Sequence, residues 1–71
     1  MERTEVASSN VASVGYDPDA RILEVEFKGG SVYQYHGVPA DVHSEMMNAE
    51  SIGRYLGRFV KGVFRCERVD E

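Results

Sequence analysis

The chain has 71 residues, 42% of them hydrophobic and 28% charged, with one cysteine and a net charge of −4 at pH 7. This leaves room for one domain and for no internal disulfide. No apolar run approaches the roughly 18 residues of a membrane span, so a multi-domain enzyme, a disulfide-stapled mini-protein and a membrane protein are all excluded.

Residues 1–8 read as a flexible N-terminal arm, 9–66 as a single domain and 67–71 as a flexible C-terminal tail. The opening Met1-Glu2-Arg3-Thr4-Glu5 is polar and lacks the apolar stretch of a secretory signal. Together with the lone Cys66, which suits a reducing compartment, it predicts a cytoplasmic protein. From residue 9 to 17 a loose alternation predicts a strand, with Ala12, Val14 and Tyr16 on one face and Val11 and Ser13 on the other. Asp17-Pro18-Asp19-Ala20 is a turn, with Asp at its first position and Pro, its φ already set, at the second. The run Arg21–Lys28 alternates cleanly. Leu23, Val25 and Phe27 point one way and Glu24 and Glu26 the other, the signature of a half-buried strand. Gly29-Gly30 supplies a tight hairpin turn, and Ser31–His36 returns as a third strand.

The period then changes. Pro39 opens a helix at its first position, Asp41 complements its dipole, and Val42, Met46 and Ala49 form an apolar stripe. Ser51 is the N-cap of a second helix through Arg54-Tyr55-Leu56-Gly57-Arg58-Phe59-Val60, which stops near Gly62. The expected fold is α+β: a three-stranded antiparallel meander followed by two short helices packed on one face. Surface scaling gives a folded area of about 4,400 Å² and burial of about 60%, a regime of marginal stability.

Candidate nucleophiles and bases are Ser8, Ser9, His36, His43 and Cys66, and none stands in a recognised nucleophile motif. His36 and His43 are not spaced as a metal pair. Gly29-Gly30 lacks the helix and the Lys-Ser/Thr of a phosphate loop. Neither catalytic residues, nor a metal, nor a cofactor is expected.

Charge is distributed unevenly. Residues 1–50 carry three basic against nine acidic side chains, net −6, and residues 51–71 carry five against three, net +2. Arg54, Arg58, Lys61, Arg65 and Arg68 recur so that, at about 100° per residue, all fall within about 40° of one line on a continuous helix. Either this is a solvated helix face, or it is a cationic stripe for phosphates or an acidic partner. A break at Gly62 would take Arg65 and Arg68 out of line. Tyr33 and Tyr35 admit a similar pair of readings: core aromatics, or a platform on which exposed bases stack.

The ordered set Ser8-Ser9-Asn10-Val11, Val14-Gly15-Tyr16-Asp17, Leu23-x-Val25-x-Phe27, Gly30-x-x-Tyr33-x-Tyr35, Val38-Pro39 and Ala49-x-Ser51-x-Gly53-x-Tyr55 resembles the KTSC domain. That small module is named for its place at the C-terminus of some bacterial lysyl-tRNA synthetases, and it also stands alone. The resemblance spans about residues 6–65. It implies a compact α+β module with a role near RNA, and no catalytic residues. This chain departs from the family pattern at Gly57, where an Asn is common, at Leu56 in place of Phe, and at Phe64 in place of Tyr.

The expected function is a non-catalytic binding module. It would contact RNA or an RNA-associated protein through Arg54, Arg58, Lys61 and Arg65, with Tyr33 and Tyr35 secondary. The alternative is a protein–protein module or homodimer without nucleic acid. Ser9, Asn10, Tyr16 and Ser51 are a second candidate group, a polar cluster if the fold brings them together.

Overall fold

The structure, a computed structural model, describes residues 1–70. It corrects the three-stranded meander to a five-stranded antiparallel sheet in sequential order. The three expected strands are present as β2 (Val11–Asp17), β3 (Ile22–Phe27) and β4 (Val32–His36). Two edge strands join them: β1 (Thr4–Glu5) on β2, and β5 (Arg65–Arg68) on β4. The sheet thus takes in residues on both sides of the expected 9–66 domain. Neither edge strand carries an apolar alternation, because every residue of both is exposed. Backbone pairing alone makes them strands, and their charged side chains suit an edge that must not recruit another chain. Beyond β5 the pairing continues. The Val69 N–H donates to the Val32 carbonyl at 2.8 Å, and the Asp70 carboxylate accepts the Val32 N–H at 3.1 Å. Hydrogen bonds from Arg68, then that backbone N–H, hold the Asp70 carboxyl at about 2.

Two helices follow β4. In α1 (Ala40–Met47), Pro39 is the N-cap and not the first helical residue, so the helix begins one residue later than predicted. In α2 (Ile52–Tyr55), the Ser51 hydroxyl accepts the Arg54 N–H at 3.2 Å, as an N-cap should. The chain then widens into a π-helical turn, Leu56–Val60, closed by the Lys61 N–H donating to the Leu56 carbonyl at 2.9 Å. Lys61 is extended, and Gly62 takes φ +78°, which an L side chain resists. The helix ends there and the chain reverses into β5.

The core lies between the helices and one face of the sheet. Val11, Val14, Leu23, Val25, Tyr35, Val38, Met46, Leu56 and Val60 form one buried cluster. The total accessible area is 4473 Å², close to the scaling value. Val11 joins this core although the alternation put it on the far side. The register shifts between Val11 and Ser13, so that Val11 pairs with Phe27 and Ser13 with Glu26. Ala12 is the extra residue of a β-bulge.

The other face of the sheet is polar, and the first residues of the chain cross it. Glu24 is only 7% exposed, so its carboxylate needs partners. It accepts from Arg3 Nη1 at 2.6 Å and from Gln34 Nε2 at 2.8 Å. Glu26 accepts the Ser13 hydroxyl at 2.9 Å. Gly15 makes this crossing possible: a Cβ there would lie 2.5 Å from the Glu2 carbonyl oxygen and 3.0 Å from Arg3 Cγ. Gly15→Ala is therefore expected to cost about 1–3 kcal/mol, as overpacking does. Thermal denaturation should show a loss of several degrees. In a chain lacking residues 1–3 the same substitution should be nearly neutral, because the clash is with those residues.

Candidate functional site

The cleft with the clearest chemistry lies where the β3–β4 hairpin meets the segment before β2 and the end of the π turn. Two backbone features build it. The Ser8 hydroxyl accepts the N–H groups of Asn10 and Val11 at 3.3 and 3.2 Å, which turns the chain sharply. The Asn10 carbonyl then accepts the Lys28 N–H at 2.9 Å and ties this turn to the hairpin. Opposite stands Gly53, where an added Cβ would find Ser8 Oγ at 3.6 Å and Asn10 Nδ2 at 3.9 Å. The resulting cleft, about 330 Å³, is lined by Ser9, Asn10, Phe27, Lys28, Gly29, Gly53, Leu56 and Lys61. Its walls carry two lysines, a carboxamide and a hydroxyl, and none of the described residues lining it is acidic. Such a site offers cations and neutral donors to an anion.

Lys61 also reaches over Phe27, with Nζ 5.1 Å from the ring centroid, a cation–π arrangement. On the far side of this pair lies a second cleft, about 300 Å³, lined by Phe27, Tyr33, Tyr35, Lys61, Gly62 and Cys66. Phe27 and Tyr33 meet edge to face, with centroids 5.7 Å apart and planes at 77°. Tyr35 is its buried floor, and burial, then the neighbouring Cys66 thiol, pushes the phenol up from its ordinary value.

The predicted stripe is divided. Arg54 and Arg58 share a shallow groove with Ser51, Tyr55 and Phe59, which Glu50 also lines. Lys61 turns to the lysine cleft. Arg65 and Arg68 lie on β5, outside any helix. Arg65 stands opposite His36 in register and pairs with Glu67 at 2.9 Å, and Arg68 holds Asp70 through Nε and Nη2 at 2.8 and 3.1 Å. The polar cluster is also divided. Ser9 and Asn10 line the cleft, and Ser51 caps α2. Tyr16 donates its hydroxyl to the Val38 carbonyl and stacks on His43, with centroids 4.6 Å apart and planes 12° from parallel. Lys28 and Phe27 were not among the candidate residues. The only trace of Lys28 was a basic residue beside Gly-Gly at a hairpin tip.

The two histidines serve different surroundings. His36 Nε2 lies 3.9 Å from Glu67. Burial lowers the pKa of His43 from its ordinary value. A lowered folded value means that the unfolded chain binds the extra proton first. His43 therefore contributes stability that is complete above about pH 6.5 and is lost as pH falls through the folded value. Melting temperatures between pH 8 and 5 should fall in that window, and His43→Phe should flatten this part of the profile.

Among the described residues, no three His, Cys, Asp or Glu side chains are grouped to hold a metal ion. None of the described helices is long and apolar enough to cross a membrane.

The KTSC domain family model matches residues 7–64. The crystal structure of a KTSC domain protein from Yersinia pestis superposes with a TM-score of 0.91 at 45% identity, covering 96% of each chain. An uncharacterised protein of Stutzerimonas stutzeri is 41% identical over 71 residues, 99% of this chain and all of that one. A lysine–tRNA ligase of a Nostoc species is 39% identical over 61 residues, covering 86% of this chain but only 11% of the ligase.

Proposed function

The chain belongs to the KTSC domain family, and on that footing we propose that it is a non-catalytic module that contacts RNA phosphates, with the lysine-walled cleft as the centre of contact. The observation that carries this reading is the convergence of Lys28 and Lys61, from two separate loops, with Ser9 and Asn10 on a cleft free of acidic lining. Phosphate oxygens take charge from lysines and hydrogen bonds from small polar side chains. Arg54 and Arg58, on α2 and the π turn, extend the cationic surface beyond the cleft. The lysine–tRNA ligase relatives support the same direction, since there a matching segment is a small part of an enzyme that acts on tRNA. The net charge of −4 does not oppose it, because no described residue lining the cleft is acidic and Glu24 and Glu26 lie on the other face of the sheet.

Labelled tRNA and mixed RNA titrated at about 50 and 200 mM salt test the reading. Binding should weaken with log salt at a slope of roughly 0.7–0.9 per phosphate contact. No binding at the lower salt would sink it. A second reading, a protein-contact surface or homodimer without nucleic acid, is favoured by the exposure of Phe59 (51%) and Val63 (62%). Sedimentation showing a monomer at all accessible concentrations would remove the homodimer, and a lysate pull-down with and without nuclease separates the two readings.

A further inference from the structure

We propose that the RNA taken by this domain is single-stranded, with one unstacked base in the aromatic cleft of Phe27, Tyr33 and Tyr35 while its phosphate sits in the lysine cleft. The inference rests on the RNA-phosphate reading and adds the state of the strand to it. Its ground is the shared wall. The two clefts are separate spaces, yet Phe27 and Lys61 line both. A ligand astride that wall meets cations and neutral donors on one side and aromatic rings on the other. Those are the two chemistries of one nucleotide. The Phe27 and Tyr33 rings, 77° apart, form a corner, with buried Tyr35 as its floor. A base can enter such a corner only if it is free of its partner strand and neighbouring stack. Stacking of this kind tolerates any base, because every base has a π-face. The domain would then select strand state rather than sequence.

Charge alone predicts the opposite preference. A duplex presents phosphates more densely than a single strand and should win any purely electrostatic contest. The test uses the full chain at about 50 mM salt and three RNAs. They are a ten-nucleotide single strand, the same strand paired with its complement, and the same strand with abasic residues in its middle. The unmodified single strand should bind about tenfold or more tightly than either of the others, within the range that base–aromatic stacking supplies. It should also slow alkylation of Cys66, which lines the aromatic cleft and is exposed in the free protein. Tyr33→Leu should weaken the unmodified strand toward the abasic one and leave abasic binding unchanged, which also reports that the variant is folded. A duplex that binds as tightly as the single strand, with Cys66 alkylation unaffected by RNA, overturns the inference. If Lys28→Ala still weakens binding in that case, the phosphate reading survives without it. Failure of all three RNAs to bind overturns both.

Discussion

Leu56→Ala is expected to lower the melting temperature by 10 °C or more. Leu56 is 1% exposed and belongs to the single buried cluster. It is also the first residue of the π turn, and its carbonyl accepts the Lys61 N–H that closes the turn. Truncating a buried Leu costs about 2–5 kcal/mol, depending on how far the surroundings collapse into the space. Here collapse is limited, because the strands below are paired on both sides. A domain of this length has about 4–10 kcal/mol in all, and each kcal/mol shifts the midpoint by about 4–8 °C. Phe59→Ala, on the same turn but half exposed and packed on Tyr55 with ring centroids 4.8 Å apart, should cost about 0.5–1.5 kcal/mol, well short of the Leu56 loss. Thermal and urea denaturation followed by far-UV circular dichroism would check both. A loss of only a degree or two for Leu56→Ala would show that the turn is not anchored through this side chain.

Replacing Lys28 and Lys61 together by alanine is expected to weaken RNA binding about 10- to 100-fold at about 50 mM salt, and to reduce the slope of log affinity against log salt by about 1.4–1.8. The reduction follows from removing two phosphate contacts. The fold should survive, because both side chains reach solvent; the lost cation–π contact of Lys61 with Phe27 costs about 0.5–1 kcal/mol at an exposed site. Arg65→Ala is the informative comparison. Arg65 lies on β5 and pairs with Glu67, so its loss should leave affinity nearly unchanged. If Arg65→Ala weakened binding as much as the lysine pair, the contact surface would follow the predicted stripe instead of the cleft.

The parts of the fold legible in the sequence are those with a packed side. Leu23, Val25 and Phe27 alternate because one face of β3 meets the helices, and Met46 recurs with Val42 for the same reason. Ser51 was legible as a cap because its hydroxyl has a single local task. The edge strands were illegible for a physical reason. Thr4–Glu5 and Arg65–Arg68 bury no side chain, so no period records their backbone pairing. The cationic stripe looked continuous because its spacing fits an ideal helix, yet the widened turn at Leu56–Val60 and the φ of Gly62 end that helix after Val60. Lys28 joins Lys61 only because the end of the π turn packs beside the β3–β4 hairpin, a long-range event that no local pattern carries. Ser9 and Asn10 stood out as polar residues without an evident structural task, and they are the two of the four candidates that reach the cleft.

The bulge at Ala12 sets the phase between two halves of one stretch of chain. After it, β2 runs in step with β3 and presents Ser13 to Glu26. Before it, the step is shifted by one, so that Val11 enters the core and Asn10 arrives beside Lys28. In a strand of period two, one step out of phase turns a side chain to the other face, and the extra residue of the bulge is what keeps Val11 opposite Phe27, on the side of Val14 and Val25. Loss of Ala12 would therefore remove the bulge and leave Val11 opposite Phe27, now in regular step with the pairs from Ser13 to Asp17. At the bulge β2 can thus lose a residue without exchanging its faces, because the ladder there carries one residue more than β3 supplies partners for.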